Sequence, residues 1–509
     1  MLPRLLLLVL APGLSLGAQT AAAADRPARP HVVLILADDL GWTDLSTGRT
    51  NGGRGSPWHR TPNLDALAAA GTCFTDAYSS GPNCAPTRAA LWSGKWAART
   101  GIYTVGGGNR GAEQHRRLDA APNRTVLAGE FVTLAERLRE LGYHTGHFGK
   151  WHLGGGAATS PGGQGFEHAV GGNQRGGVGS DGHFAAADGA FPLPGLGPLP
   201  APDRADGEHQ FLADRLTDEA IAWLAATTTG PSFCVVSHYS VHTPIQTPAR
   251  DLPTAPPPAD SQHRHVQYCG MLKNLDDNVG RVVAWLEANE DPQWPGHRRI
   301  ENTLLLFTSD NGGLGGYADA GIAGGQEITN NRPLRSGKGS LHEGGIRVPL
   351  IARWDGRVRA GAVDTTPLQS LDLHPTLIAL CGGEVPGDLD GSDLARRFGP
   401  EPGDVPERAL YWHFPGYLQA DGRRGTWRTT PGSVIRRGDH KLIWWYETGT
   451  AQLFDLANDL GEDRDLAEQQ PERCDELVRE LGSWLERTAA PLPRTREGPA
   501  VPLPAPRPR

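Results

Sequence analysis

Basic charge is what this chain of 509 residues lacks: 49 Lys and Arg face 57 Asp and Glu, a formal charge of −8. A net acidic chain is a poor general nucleic-acid binder, because that work needs an excess of cations facing phosphate. Cysteine is sparse too. Cys73, Cys84, Cys234, Cys269, Cys381 and Cys474 form no C-x-x-C pair, which argues against zinc-ribbon and thioredoxin-type sites. Six in this length make no disulfide framework. Past the N-terminus, no stretch reaches the ~18 uninterrupted apolar residues of a membrane-spanning helix. Two methionines reflect coding bias and exclude nothing. The 67 Gly and 42 Pro stay below the roughly 25–30% of low-complexity sequence. With 38% hydrophobic residues, a globular, core-forming protein is expected.

What is present begins with a leader pattern. Arg4 precedes the apolar run Leu5–Leu10, and Ala21–Ala24 precede Asp25. A charged start, a short apolar core and a small-residue cleavage region mark a secretory signal. Residues 1–24 are therefore expected to be a cleaved signal peptide. The mature protein is expected to be exported, periplasmic or extracellular, with no stable membrane anchor.

Short, continuous apolar runs at Val32–Ala37, Phe233–Val236 and Leu304–Thr308 read as strands buried on both faces. Helical patterns separate them. Thr133 and Glu136 form a capping box before Leu134, Leu138 and Leu141, and 211–224 and 266–286 have helical periodicity. Strands alternating with helices predict an α/β fold with a mostly parallel central sheet flanked by helices. From Leu153 to His209 the pattern dissolves into a long loop, read equally as a substrate-pocket loop or a surface insertion. A composition change near 376 predicts a catalytic domain over 29–375 and a smaller C-terminal α+β domain over 376–490. The proline-rich 491–509 is expected to be a disordered tail.

Polar residues fall in telling places. Asp38-Asp39 follows the first strand, Asp310-Asn311 the last, His242 comes after 233–236, and Lys150 and His152 follow the segment 143–148. In open α/β sheets, ligands bind outside the carboxyl ends of the strands. Each pair alone reads as a turn. Together they make an all-oxygen set suited to Ca²⁺ or Mg²⁺ rather than zinc. Cys84-Ala-Pro-Thr-Arg88 opens a helix, with Pro86 in its first turn. A thiol there is acidified and an anion stabilised, and Arg88 offers a fork of donors to an oxyanion. A structural cysteine, or a disulfide partner of Cys73, is the competing reading.

The ordered set of motifs resembles the type I sulfatases of the alkaline phosphatase superfamily. It comprises His31–Gly41, Cys84–Arg88 with Ser93-Gly94, Gly142–His152, Val241–Pro244, Thr308–Gly312, Leu334–Ser340, Glu343–Pro349 and Leu453–Leu456. The resemblance implies that Cys84 is oxidised to Cα-formylglycine by a formylglycine-generating or anaerobic sulfatase-maturating enzyme. It implies that Asp38, Asp39, Asp310, Asn311 and residue 84 hold one Ca²⁺, or Mg²⁺. Arg88, Lys150 and Lys338 then neutralise sulfate oxygens. His242 or Lys338 sits near the leaving oxygen, and His152 takes a proton from the second hydroxyl of the hydrated aldehyde. Thr87 stands where Ser or Ala is usual, and Asp459-Leu460-Gly461 departs from the usual Asp-Pro-x-Glu. The implied activity is hydrolysis of sulfate esters, on a sulfated carbohydrate or aryl sulfate. A phosphate or phosphonate monoester hydrolase and a non-catalytic glycan-binding homologue are the alternatives. Trp412–Pro415 is read either as reaching the pocket or as packing.

Overall fold

The computed structural model describes residues 26–506, apart from 180–181, 187–188, 199–209, 319–326, 422–425 and 497. The expected signal peptide lies outside the described residues. Among these, no helix is long and apolar enough to cross a membrane.

An eight-stranded sheet forms the larger part. Its strands are β1 (His31–Ala37), β2 (Thr72–Phe74), β3 (His144–Gly149), β4 (His168–Val170), β5 (Ser232–Ser237), β6 (Thr303–Ser309), β7 (Leu350–Arg353) and β8 (Ala362–Asp364), in spatial order β8-β2-β7-β6-β1-β5-β3-β4. The five strands from β6 to β4 pair in parallel, and only β7 runs against its neighbours. The sequence-based strands are thus found, each a residue or so longer.

Alternation along β1 explains its unbroken apolar run. Val33, Ile35 and Ala37 join one core, with α1 (Pro62–Ala70), α4 (Leu212–Ala226) and α5 (Val266–Ala288). Val32, Leu34 and Leu36 join the other, with α2 (Cys84–Ser93), α3 (Leu134–Glu140) and α6 (Leu373–Leu380). Helices cover both faces, so no face of β1 meets water, and its one polar residue, His31, is paired with Ser232 and Asp291. The capping box at Thr133 and Glu136 is formed.

A second sheet is antiparallel: β9 (Ala409–Phe414), β10 (Gly432–Arg437), β11 (His440–Trp445) and β12 (Thr450–Asp455), paired in that order. One face packs on α7 (Pro471–Arg487), where Tyr411 stacks on Trp484 at 4.6 Å. The other face, through Leu410, Trp412 and Phe414, packs on Tyr78, Leu341 and Ile346 of the larger part. Trp412 is buried and donates to Ser79 O at 2.8 Å, so the 412–415 segment packs and does not reach the pocket.

Two expected boundaries need correction. The division at 375/376 falls inside α6, whose Leu373, Leu377 and Ile378 belong to the sheet's own core. Pro375 lies in that helix's first turn, where proline is accommodated. The tail expected to be disordered carries structure: Arg494–Thr495 pairs with 118–119, and Val501 is buried against the α7 cluster. Proline-rich chain needs no internal hydrogen bonds and here gains apolar contact instead.

A buried ionic network links the second sheet to the larger part. Lys441 Nζ lies 3.0 Å from Glu343 and 2.8 Å from Glu462, and Glu343 also accepts from Tyr78 and Arg347. Glu462 is the glutamate of the altered Asp-Pro-x-Glu stretch; only its proline is replaced. Burial works to raise Glu462, but Lys441 and His342 outweigh it and hold its carboxyl at about 2. An unfolded glutamate titrates near ~4.3. The pairing therefore contributes stability above that pH, which is lost as pH falls towards 2. Glu462→Gln is expected to lower the melting temperature at pH 7 and to flatten its decline below pH 5. An unchanged acid limb in thermal melts would refute this.

Candidate active site

Four parallel strands end side by side, and each hands over to polar residues. Asp38 and Asp39 leave β1, Lys150 and His152 leave β3, His242 lies on the loop after β5, and Asp310 and Asn311 leave β6. Main-chain bonds lock the exits together. Asp38 N donates to Ser240 O (2.9 Å), Lys150 N to Ser237 O (2.7 Å) and Asp310 N to Ala37 O (3.2 Å). Cys84 arrives as the first residue of α2 and is 2% exposed. The Thr87 hydroxyl donates to Gly81 O at 3.0 Å, bracing the turn before it.

Each cation in this cluster faces a carboxylate. Arg88 reaches Asp310 Oδ2 through Nε (2.9 Å) and Nη2 (2.8 Å), while Nη1 donates to Lys150 O (2.7 Å) and Ser237 Oγ (2.6 Å). Lys150 Nζ lies 2.6 Å from Asp38 Oδ2. Lys338 Nζ spans both oxygens of Asp39, at 2.7 and 2.8 Å, and His242 Nε2 is 3.6 Å from Asp39 Oδ2. Asn311 Nδ2 donates to Asp39 Oδ1 at 2.8 Å. All ten residues singled out from sequence are brought to one place, with His152 facing the same cavity as Cys84, His242 and Lys338.

Two oxygens in the cluster, Asp38 Oδ1 and Asn311 Oδ1, are buried with no hydrogen-bond partner. Burial first, and the neighbouring Asp310 next, push the Asp38 carboxyl well above its usual range. Orphan oxygens beside crowded carboxylates suit a hard divalent cation. Asp38, Cys84 and Asp310 place ligand atoms within 4.8 Å of one another. A further group, Asp44 with His59 and His263, is already satisfied. Asp44 accepts from Gly41 N and Tyr268 OH, both at 2.6 Å, and from Thr329.

Burial, then Lys150 and Arg88, push His152 down to about 2. Burial, then Lys338, push His242 down to about 3. Both imidazoles are neutral at pH 7. His242 Nδ1 lies 2.8 Å from Thr243 O, so Nδ1 carries the proton and Nε2 is the free acceptor. Lys338 behaves oppositely: burial opposes its charge, but Asp39, then Cys84 and Asp38, hold its ammonium above the usual range.

Backbone strain gathers here. Among the described residues, three of the five non-glycine residues with positive φ are Asp39, His152 and Ser336, each at 65°. Such conformations persist only where surroundings over-determine them. Asp39 N is held by Asp310 Oδ1 at 3.2 Å and His152 N by Asn173 O at 2.8 Å. Gly176 packs so closely that a Cβ there would lie 2.3 Å from the His152 ring.

A cavity of about 460 Å³ opens over Cys84. A family model described as Sulfatase matches residues 30–383, most of the chain. The chain belongs to the sulfatase family. It is a sulfuric ester hydrolase. A second model, N-sulphoglucosamine sulphohydrolase, C-terminal, matches residues 337–490. This sulfatase is 33% identical over 526 residues to a sulfatase of Formosa agariphila, covering 92% of this chain and 90% of that one. It is 32% identical over 450 residues to the N-acetylgalactosamine-6-sulfatase of Mus musculus, covering 86% of this chain and 76% of that one. The structure of Ps i-CgsB in complex with k-i-k-neocarrahexaose matches with a TM-score of 0.68 and 28% identity, covering 92% of this chain and 96% of that one.

Sequence reasoning missed several residues of the sulfatase pocket. Ser237 anchors Arg88. Arg110, Tyr317, Leu418 and Arg428 line the cavity. None sits in a motif, and Leu418 and Arg428 come from the C-terminal part, so no local signal marks them. Of the long loop after 153, Gly176 and Gly177 reach the pocket. All six cysteines are free, so the disulfide reading of Cys84 with Cys73 is set aside. Cys73 lies in the sheet interior, in β2, with Sγ 3.7 Å from Ala68 O.

Proposed function

We propose that this sulfatase, an exported protein, hydrolyses sulfate esters of a sulfated carbohydrate, with residue 84 as nucleophile after Cys84 is oxidised to Cα-formylglycine. The reading is supported most by one observation: three carboxylates and two orphan oxygens converge beside Cys84 at the floor of an open cavity. In this reading Asp38, Asp39, Asp310, Asn311 and an oxygen of residue 84 hold Ca²⁺, or Mg²⁺. The cation, when bound, acidifies a ligated hydroxyl and neutralises sulfate oxygens. The oxidised side chain, when hydrated, offers two hydroxyls where serine offers one.

The chain's own residues do the rest. Arg88, Lys150 and Lys338 present positive charge where negative charge lies on the sulfate oxygens, in a site preorganised by folding. Lys338, held charged by Asp39, hydrogen-bonds the leaving oxygen as negative charge builds on it and supplies its proton as the alcohol departs. His242, neutral and with Nε2 free, orients that group. His152, neutral and with Nδ1 buried and unpartnered, takes the proton from residue 84. The leader pattern supports export, and maturation calls for a formylglycine-generating or anaerobic sulfatase-maturating enzyme.

Mass analysis of the peptide carrying Cys84 tests the reading. Active protein is expected to carry oxygen in place of sulfur at this residue. Parallel assays are expected to show sulfate esters turned over faster than phosphate or phosphonate esters. Active enzyme with an unmodified thiol would overturn the nucleophile. Faster phosphate release would favour the phosphatase alternative, and an inert protein with intact thiol the glycan-binding one.

A further inference from the structure

Arg88, Lys150 and Lys338 each face a carboxylate of the cluster. Arg110, on the wall of the same cavity, does not. Its Nε donates to Gly107 O at 3.3 Å and its Nη2 to Val105 O, both carbonyls of its own loop. Among the described residues lining the cavity there is no Asp or Glu. Arg110 and Cys84 line the same cavity, and burial, offset in part by Cys84, works against charge on Arg110. A guanidinium has five donors, and two carbonyl contacts leave most of them for a ligand.

The loop is fixed from both sides. Asn123 Nδ2 donates to Gly106 O (2.6 Å), Tyr417 N to Gly108 O (2.8 Å), and Ala120 N to Asn109 Oδ1 (2.7 Å). A Cβ at Gly111 would lie 2.5 Å from the Trp427 ring. Arg110 is thus held at the pocket wall by packing that involves both parts of the molecule. Holding a charged fork in place before a ligand arrives lowers the entropic cost of binding. Arg428, by contrast, spends its donors on Lys338 O, Gly316 O and Gly315 O and acts as a brace.

We propose that the substrate carries a second anionic group besides the sulfate ester that is cleaved, and that Arg110 receives it. This inference rests on the carbohydrate reading above. The chemistry it selects is a planar or tetrahedral oxyanion, a carboxylate or a second sulfate, on the same sugar or its neighbour.

Three substrates test it with matured enzyme: a neutral disaccharide bearing one sulfate, the same sugar with a second sulfate, and the same monosulfated sugar with a uronate carboxylate. The wild type is expected to prefer at least one doubly anionic substrate by about 10- to 100-fold in kcat/KM, mainly through KM, as suits a charge-assisted contact. Whichever anion is preferred identifies the group. Arg110→Gln is expected to collapse that preference, Arg110→Lys to keep much of it, and added salt to shrink it. A wild type without preference, or a preference that survives in Arg110→Gln, overturns the proposal. The salt dependence is read on the wild type alone, so a poorly folding variant does not spare the idea. Failure of all three sugars, with an aryl sulfate still hydrolysed, overturns the carbohydrate reading itself.

Discussion

Sulfate release is expected to vanish when Cys84 is replaced by alanine, with a loss on the order of 10⁶-fold, the scale seen when a nucleophile is removed. The fold is expected to survive. Cys84 is the first residue of α2, it makes no disulfide, and alanine suits a helix start followed by Ala85. Cys84→Ser is expected to be inactive too, because a single hydroxyl cannot replace the pair the mechanism uses. Sulfate release under multiple-turnover conditions, beside circular dichroism of each variant, measures this. Wild-type rates from Cys84→Ala would falsify the assigned nucleophile.

Asp310→Asn is expected to bring nearly as large a fall, by a different route. Asp310 Oδ2 is the shared partner of Arg88 Nε and Nη2, both groups are fully buried, and Asp310 Oδ1 accepts from Asp39 N. Removing one member of a buried pair costs about 3–5 kcal/mol, because the other charge is left uncompensated. The same carboxylate belongs to the proposed cation site. Metal content, melting temperature and activity should therefore fall together. Chelated wild type is expected to recover with Ca²⁺ or Mg²⁺, and Asp310→Asn is not. Active protein holding stoichiometric zinc and neither of those ions would contradict the oxygen-ligand reading.

The part of the site legible in sequence is the part built by strand ends. A strand buried on both faces carries a run of apolar residues and no charge it cannot pair, so the first carboxylate after β1 or β6 stands out. His152 and Lys150 follow β3, whose polar HTGHFG sequence makes no such contrast, and they are legible through their motif. Lys338 is not marked by any strand; only its motif gave it away. It is positioned by contacts far apart in sequence, such as Arg428 Nε to Lys338 O at 2.9 Å, and no periodicity encodes those. The antiparallel run of β7 and the continuation of the core through α6 were hidden likewise. Strand direction follows from connection geometry, and a change of composition near 376 does not reveal that α6 runs through it.

The clamp across the segment before Cys84 bears on timing. Trp412 Nε1 holds Ser79 O at 2.8 Å, and Gly339 N holds Pro82 O at 2.6 Å. Residues synthesised more than 250 positions later therefore seal the turn that presents residue 84, and leave it 2% exposed. If Cys84 is oxidised as proposed, the enzyme that does so must reach this stretch before it is covered, so its opportunity closes when β9 docks. Slower docking lengthens that interval and faster docking shortens it. The yield of working enzyme then becomes a race between oxidation and folding, decided before the protein meets its first substrate.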